Sequence, residues 1–162
     1  MINGVELQHY KIEFFESLSE FSLPEEQERF TSLPTAMLEA SEGRHPIVIL
    51  SESRPVGFFI LHSSSRVQDY TDNPNAMLLT SFSIDFKQQG KGYAKKGLLQ
   101  IDHFVREFFQ HCNEVVLAVN HKNIAAQKVY EKVGYQDTGR RKIGKIGEQF
   151  IYSYPLHRKS ND

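Results

Sequence analysis

The residues with the clearest chemical potential lie where an apolar run ends in a glycine-containing turn and a helical pattern begins. This segment reads Ile84-Asp85-Phe86-Lys87-Gln88-Gln89-Gly90-Lys91-Gly92-Tyr93-Ala94. Gly90 and Gly92 allow the main chain to turn sharply and to approach a ligand without a Cβ atom. The first amides of the following helix have no intrahelical acceptor, so they point toward an incoming anion. The pattern predicts a phosphate cradle, with an ordinary strand-to-helix turn as the alternative.

Two common nucleotide-binding motifs do not fit this segment. A dinucleotide-binding fingerprint requires glycine at the position of Lys95 and an acidic residue at the end of the next strand, where this chain has Asn120. A P-loop requires Gly-Lys followed by Ser or Thr, whereas Lys91 is followed by Gly92. Both motifs are therefore excluded.

A second ordered group of residues lies further along the chain. Its members are Asn120, Asn123, Ala126, Tyr130, Gly134 and Tyr135. The turn itself carries Gln89, Gly92 and Ala94, in the pattern Gln/Arg-x-x-Gly-x-Gly/Ala. These two ordered motifs resemble those of the GNAT superfamily of N-acetyltransferases. The resemblance is clear from about Met77 to Tyr135 and looser over the whole chain.

The resemblance implies an α/β fold of the GNAT type, in which helices flank a mixed, mostly antiparallel sheet of six to seven strands. One parallel pair of strands splays apart, and the pantetheine arm of acetyl-CoA lies in the notch between them. The matching strands here are Met77 to Ile84 and Val115 to Val119. Residues 1–162 would form a single N-acetyltransferase domain.

The resemblance also assigns residues that bind acetyl-CoA, the co-substrate. Main-chain amides of the turn would bind the pyrophosphate, from residues Gln89, Gly90, Lys91, Gly92, Tyr93 and Ala94. The pantetheine would lie along Phe82, Ser83 and Ile84, where a main-chain amide polarises the thioester carbonyl. The remaining predicted cofactor-binding residues are Asn120, Asn123 and Ala126. Four lysines near the turn either help to bind the phosphates or only solvate the helix start: Lys87, Lys91, Lys95 and Lys96.

Tyr130 is the catalytic residue that the resemblance implies. It occupies the family's tyrosine position and would donate a proton to the leaving thiolate as general acid. The competing interpretation is a core tyrosine at helical spacing with Ala126 and Val133.

The general base is not apparent in the sequence. Many members of the family carry a glutamate on the strand before the cradle, but Ala76 to Ile84 contains no carboxylate. We expect a water molecule held by Ser81, Ser83 or a main-chain carbonyl to act instead. Asp85, at the end of this strand, is interpreted as a turn former.

The composition argues against several other classes of protein. With 162 residues, of which 40% are hydrophobic and 24% charged, the chain has room for the core of one globular domain. The apolar runs Ile47 to Leu50 and Val56 to Leu61 are too short to span a membrane, and the charged first thirty residues do not fit a signal peptide. We therefore expect a cytoplasmic protein. Cys112, the only cysteine, is predicted to be a buried core residue on the helix that follows the cradle.

Metal and nucleic-acid binding have no support in the sequence. The seven histidines and one cysteine show no His-Glu-x-x-His or Cys-x-x-Cys spacing, so we expect no metal site. The net charge of −1, without a stripe of basic and aromatic residues, argues against nucleic acid as a partner.

The distribution of charge bears on the acyl acceptor. Residues 1–52 contain ten acidic and three basic side chains, a net charge of −7, whereas residues 53–162 contain ten acidic and sixteen basic ones, +6. Acidic first helices suit a small cationic acceptor such as a polyamine, and Leu23 to Phe30 resembles the start of spermine/spermidine-type acetyltransferases. Alternatively, these glutamates only solvate helix faces. A basic group near the C-terminus would instead favour an anionic acceptor or the CoA 3′-phosphate: Arg140, Arg141, Lys142 and Lys145.

Two other functions remain open at this point. One is a protein or peptide N-acetyltransferase, which would need an open acceptor groove. The other is a domain that binds acyl-CoA without turnover, which would explain the missing glutamate. The resemblance to this family also leads us to expect a homodimer.

The elements that must position these residues follow from hydrophobic periodicity. Strands are predicted at Val5–Lys11, Pro46–Glu52, Val56–Ser63, Ala76–Ile84, Val115–Val119, Tyr135–Ile143 and Gln149–Leu156. Helices are predicted at Ile12–Phe21, Glu25 to about Phe30, Pro34–Ala40, Ala94–Cys112 and Ile124–Val133, the last with Asn123 as its N-cap. The first helices would pack through their Phe and Leu residues, and Ser53-Arg54-Pro55 would form the turn of a hairpin. Residues 64–75 are predicted to form a loop and residues 157–162 a polar tail.

Overall fold

A seven-stranded sheet forms the centre of the protein. The computed structural model describes residues 4–31, 33–36, 38–39 and 41–156. The strands are β1 (Val5–His9), β2 (Arg44–Ser51), β3 (Arg54–His62), β4 (Ala76–Ile84), β5 (Glu114–Asn120), β6 (Gln136–Gly144) and β7 (Gly147–Pro155). Their order in space is β1-β2-β3-β4-β5-β7-β6, and only β4 and β5 pair in parallel. The predicted mixed, mostly antiparallel sheet is confirmed.

Four α-helices flank the sheet. They are α1 (Phe15–Ser19), α2 (Glu25–Glu28), α3 (Tyr93–Phe108) and α4 (Ile124–Lys132). Short 3-10 helices occur at Ile12–Phe14, Pro34–Ala36, Ser65–Asp69 and Phe86–Gln88. No helix among the described residues is long and apolar enough to cross a lipid bilayer.

The elements before the cradle are more broken than predicted. The expected helix Ile12–Phe21 is a 3-10 turn followed by α1, and α2 ends at Glu28. The predicted loop at 64–75 contains the 3-10 helix Ser65–Asp69. The predicted tail at 157–162 lies outside the described residues, as do two residues of the predicted helix Pro34–Ala40.

Hydrophobic side chains pack on both faces of the sheet. On one face α3 contributes Leu98 and Ile101 to the largest core cluster. On the opposite face Phe14, Leu18 and Phe21 pack against β2 and β3. The prediction that the start of the chain packs through its phenylalanine and leucine residues is confirmed.

The long helix α3 is shorter than its apolar pattern indicates. The spacing predicts a helix from Ala94 to Cys112, whereas α3 ends at Phe108. Phe109 leaves the helical conformation with φ −134° and ψ 71°, and its ring lies 6.1 Å from that of His9 at the end of β1. We attribute the early end to this packing. Cys112 is buried, as predicted, but lies beyond the helix.

The hairpin of β2 and β3 turns earlier than expected. The sequence predicts a turn at Ser53-Arg54-Pro55, but the turn residues are Glu52 and Ser53, with φ 48° and 67°. Two-residue turns with positive φ match the twist of paired strands. Pro55 therefore lies within β3, at a break in register opposite Leu50, a position where sheets tolerate proline.

Gly97 marks a close approach of α3 to the sheet. A Cβ atom at this position would lie 2.9 Å from Cδ1 of Ile49 in β2. Ile49 is itself 0% exposed, so it has little room to move. This contact explains a glycine inside a helix, where it costs about 1 kcal/mol relative to alanine.

We expect Gly97→Leu to lower the free energy of unfolding by about 2 kcal/mol, because overpacking a tight core typically costs roughly 1–3 kcal/mol. Denaturant unfolding followed by circular dichroism measures the change. Lys95→Leu, at an exposed position of the same helix, is the control and should change stability by no more than about 0.5 kcal/mol. An unchanged stability of the Gly97 variant would show that Ile49 can move aside.

Candidate active site

The site begins where the parallel strands separate. β4 and β5 pair only over Ala76–Leu79 and Glu114–Leu117. Beyond these residues β4 continues along β3, and β5 continues along β7 as far as Asn120. The opening between them is part of a cavity of about 1070 Å³ that both strands line.

A β-bulge lies in β4 at the mouth of this opening. Phe58 pairs with Ser83 and Ile60 pairs with Thr80, so two residues, Ser81 and Phe82, stand opposite Phe59 alone. Ser81 has φ 61°, in the left-handed region that non-glycine residues rarely adopt. A bulge disrupts the local ladder and redirects the strand, so this main chain is turned toward the cavity.

Phe82 connects the bulge to the helix on the other side of the cleft. Its ring stacks on that of Phe59, with 5.7 Å between centroids. It also lies edge-on to Tyr130 of α4 at 6.4 Å. This aromatic contact places Tyr130 across the cavity from the end of β4.

The glycine turn has the open geometry that a phosphate cradle requires. Gly90 and Gly92 have φ 83° and 84°, and Gly92 is the N-cap of α3. A Cβ atom at Gly90 would meet no heavy atom within 4 Å, and one at Gly92 would meet only Cε of Lys96 at 3.9 Å. Because the first amides of α3 have no intrahelical acceptor, the turn fits an anionic diphosphate.

Most of the residues predicted to bind acetyl-CoA line this one cavity. They are Phe82, Ser83, Ile84, Gln89, Gly90, Gly92, Tyr93, Ala94, Asn120, Asn123 and Ala126, together with the predicted acid Tyr130. The exception is Lys91, whose Nζ donates a hydrogen bond to Oε1 of Gln88 at 3.0 Å.

The lysines that line the cavity are not the four near the turn, but one of them, Lys145, belongs to the basic group that the sequence linked to an anionic acceptor or the CoA 3′-phosphate. Lys87 donates from Nζ to the carbonyl oxygen of Glu20 at 2.6 Å and lies 3.5 Å from Asp85. None of the four lysines near the turn lines the cavity, whereas Lys122 and Lys145 do. These two lysines come from loops that only the fold brings to the site.

Asn120 holds the end of β5, the start of α4 and the last hairpin together. Its Nδ2 donates to the carbonyl oxygen of Ile146 at 3.2 Å, and its Oδ1 accepts from the amide of Lys122 at 2.9 Å. Gln127 donates from Nε2 to the carbonyl oxygen of Asn120 at 3.1 Å. Both polar atoms of the Asn120 side chain are therefore used within the protein, although it lines the cavity.

Asn123 plays the capping role that its type and position indicate. Its Oδ1 accepts a hydrogen bond from the amide of Ala126 at 3.3 Å at the start of α4. This N-cap fixes the first turn of the helix that carries Tyr130.

The cradle is bonded to the segment around α2, a link that sequence patterns did not reveal. Gln89 and Gln27 pair through their side-chain amides, with N to O distances of 2.9 and 3.2 Å. Asp85, only 5% exposed, accepts from the amide of Ser22 at 3.1 Å. The amide of Phe86 donates to the carbonyl oxygen of Ser22 at 2.8 Å. Asp85 therefore anchors two segments rather than merely forming a turn.

Tyr130 and Tyr135 differ in their access to the cavity. Tyr130 is partly buried and lines the cavity, and burial raises the pKa of its hydroxyl, so it is protonated at neutral pH. Tyr135 lies behind it with 5.7 Å between ring centroids. Its hydroxyl is buried and forms no hydrogen bond with the described residues. Of the two, only Tyr130 can reach a ligand in the cleft.

Polar groups of β3 and β4 lie on the sheet face opposite α3. Ser83, opposite Phe58, has a buried Oγ without a hydrogen-bond partner among the described residues. Thr80 Oγ1 lies 2.7 Å from Nε2 of His62. Burial, followed by the nearby positive charge of Arg66, lowers the pKa of His62 to about 4, so this imidazole is neutral at neutral pH.

The described residues contain no group of three or more His, Cys, Asp or Glu side chains that could hold a metal ion. The polar groups that line the cleft are amides, hydroxyls and the charged side chains of Glu26, Arg29, Lys122 and Lys145. Amides and cationic side chains can bind phosphates, and main-chain amides can polarise a carbonyl group.

The sequence is similar to a known protein family and to individual bacterial acetyltransferases. The model of the acetyltransferase (GNAT) family matches residues 9–135. An uncharacterized N-acetyltransferase of Bacillus subtilis strain 168, YbbJ, is 46% identical over 160 residues, which cover 96% of this chain and 100% of that protein. The spermine/spermidine N(1)-acetyltransferase of the same strain is 30% identical over 95 residues, 58% of this chain and 60% of that protein.

A solved structure shares the architecture. The crystal structure of an aminoglycoside acetyltransferase in complex with coenzyme A has a TM-score of 0.75 and covers 93% of this chain and 94% of that chain, at 14% identity. At this identity the likeness shows a common fold. Since the family match spans most of the chain and includes both motifs, the protein belongs to the acetyltransferase (GNAT) family, whose members are N-acetyltransferases that use acetyl-CoA.

Proposed function

We propose that the protein transfers the acetyl group of acetyl-CoA to a primary amine of a small molecule by direct attack on the thioester. One observation carries this proposal: a single cavity joins the glycine cradle, the bulge in β4 and Tyr130. The cradle would bind the pyrophosphate and the splayed strands would flank the pantetheine arm. The thioester would then lie near the bulge, where an acceptor can reach it from the other face of the sheet.

The reaction needs a neutral amine and a stabilised oxyanion. At pH 7 roughly one alkyl amine in a few thousand is neutral, so forming the neutral amine costs about 4.6 kcal/mol. The amine nitrogen attacks the carbonyl carbon, the C–N bond forms, and a main-chain amide of β4 stabilises the negative oxygen. The C–S bond then breaks, the thiolate takes a proton from Tyr130, and the nitrogen loses a proton to a base.

A bound water is our candidate for that base. Ser83 supports this role because its buried hydroxyl lines the cavity and has no partner among the described residues. Ser81, at the bulge, is the second residue that could hold the water. Neither residue is itself a base at neutral pH, so each would act by positioning the water.

A polyamine-like acceptor is the candidate that the sequence favoured. It is supported by the 30% identity with a spermine/spermidine N(1)-acetyltransferase and by Glu26, which lines the cavity. The support is narrow, because Glu26 is the only described acidic residue of α2 in the lining and Arg29 lines the cavity beside it. We therefore propose a small amine and treat the polyamine as one acceptor to be tested.

The alternative functions are a protein acetyltransferase and an acyl-CoA sensor. That the protein forms a homodimer and that it is cytoplasmic both stay predictions.

The deciding measurement is release of free CoA thiol from acetyl-CoA with spermidine, a lysine-containing peptide and an anionic amine. We expect turnover with a small amine and not with the peptide. Tight CoA binding without turnover on any acceptor would favour the sensor.

We expect Gly92→Glu to weaken CoA binding by at least about 100-fold, because it places bulk and negative charge where phosphate oxygens bind, and each lost charge-assisted hydrogen bond costs about 1.5–3 kcal/mol. Calorimetric titration with CoA measures the change. Gly139→Glu is the matched control, since Gly139 also has positive φ and open surroundings but lies outside the cavity lining. Equal CoA affinity in both variants would show that the turn is not the phosphate-binding site.

We expect Tyr130→Phe to lower kcat by about 100-fold, the usual contribution of a general acid, while the affinity for CoA changes little. Tyr135→Phe is the control, because it removes a neighbouring buried hydroxyl that has no partner among the described residues. Steady-state kinetics and CoA titration on both variants separate turnover from binding. An unchanged kcat in the Tyr130 variant would assign the residue to the core.

A further inference from the structure

A second, smaller cavity adjoins the large cavity on the side from which the acceptor would approach the thioester. Its volume is about 220 Å³. It shares residues with the large cavity, namely Phe30, Leu79, Thr80, Ser81, Ala118 and Gln149. Since Ser81 belongs to the bulge, the small cavity opens beside the point where the thioester would lie. A group attached to the acceptor amine would extend into it.

The small cavity lies on the sheet face opposite α3. Tyr70 and Leu78, which line it, belong to a separate core cluster that includes Val67 and Val116. The 3-10 helix Ser65–Asp69 therefore covers this part of the sheet. It brings Arg66 to the cavity wall.

The charge of this cavity is positive. Arg66 is the only Asp, Glu, Lys or Arg side chain among its described lining residues. No described carboxylate lies within ion-pair distance of Arg66, and Asp72, which follows the same 3-10 helix in the chain, pairs with Arg140 at 3.7 Å. Lys142 adds a second cation, with its Nζ 5.0 Å from the centroid of the Tyr70 ring. A cavity of this kind favours an anionic group over an ammonium group.

We propose that the small cavity binds an anionic group of the acyl acceptor, with Arg66 as the specificity-determining residue, so that the acceptor is an amine that carries its own carboxylate or similar acid group. This inference rests on the proposed N-acetyltransferase function. Arg66 can pair with a carboxylate in a two-pronged geometry. Gln149, which lines both cavities, lies between the two ends of such an acceptor.

The same positive charge selects against a cationic acceptor, because like charges repel. A polyamine would place a second ammonium group beside Arg66 and would be repelled.

Matched acceptors test the inference. For each chain length from two to six carbons, three amines are compared that differ only at the far end: an aminocarboxylate, a diamine and a plain alkyl amine. Thiol release from acetyl-CoA measures kcat/KM. We expect the best aminocarboxylate to exceed its matched diamine by at least tenfold. Equal values, or a preference for the diamine, would overturn the inference while leaving the N-acetyltransferase function intact.

Variants of Arg66 connect the preference to this residue. We expect Arg66→Ala to lower kcat/KM for the aminocarboxylate about tenfold and to leave the plain amine unchanged, and Arg66→Glu to invert the preference toward the diamine. Arg54→Ala is the control, since Arg54 is exposed and lines neither cavity. A preference that survives in Arg66→Glu would overturn the assignment of this residue.

A binding measurement separates this inference from the proposed function. Butyrate and butylammonium are titrated into the CoA complex while amide resonances of Val67, Tyr70 and Thr80 are followed by NMR. We expect shifts with butyrate that are lost in Arg66→Ala. If no amine turns over but these shifts occur, the function is wrong and the anion site stands. If amines turn over and butyrate causes no shifts, the anion site is wrong.

Discussion

The constraint on which this structure depends is the end of parallel pairing after Leu79 and Leu117. Beyond that point each strand needs another partner, because unpaired main-chain groups are costly when buried. β4 remains paired with β3, and β5 pairs with β7 along its whole length. The last hairpin therefore has to insert beside β5, which produces the order β5-β7-β6. The cleft is stable because both of its walls belong to well-paired strands.

Side-chain bonds then fix the loops around this cleft. Asn120 joins β5 to the turn at Ile146, and Gln89 joins the cradle to Gln27. The segment around α2 is thus bonded to the loop that, in our proposal, binds the diphosphate. Because a shared bond couples the positions of two segments, occupation of this loop would help to order the segment around α2. The same bonds give Asn120 and Gln89 a structural role that does not depend on contact with a ligand.

The sequence predicted the parts of the site that depend on local conformation. Glycines after a strand and before a helix indicate a cradle, and Asn123 before an apolar helix indicates an N-cap. The bulge could not be predicted, because its positive φ falls on Ser81 rather than on glycine. Sequence patterns also gave no sign of Lys122 in the lining or of the hydrogen bonds between Gln27 and Gln89, since both depend on tertiary packing. The helix end at Phe108 was missed for the same reason.

The charged side chains show most clearly that tertiary contacts, which sequence patterns do not reveal, determine the lining of the site. The first 52 residues carry −7 and the rest +6, which suggested an acidic acceptor site. The fold turns most of the glutamates outward, where solvent and salt screen them within about 8 Å, and leaves Glu26 in the large cavity. The small cavity receives Arg66 from a segment that the sequence indicated only as a loop. The sign of the potential that an acceptor meets therefore depends on which few side chains line the cavity, and the net charge of a segment is a poor guide to it.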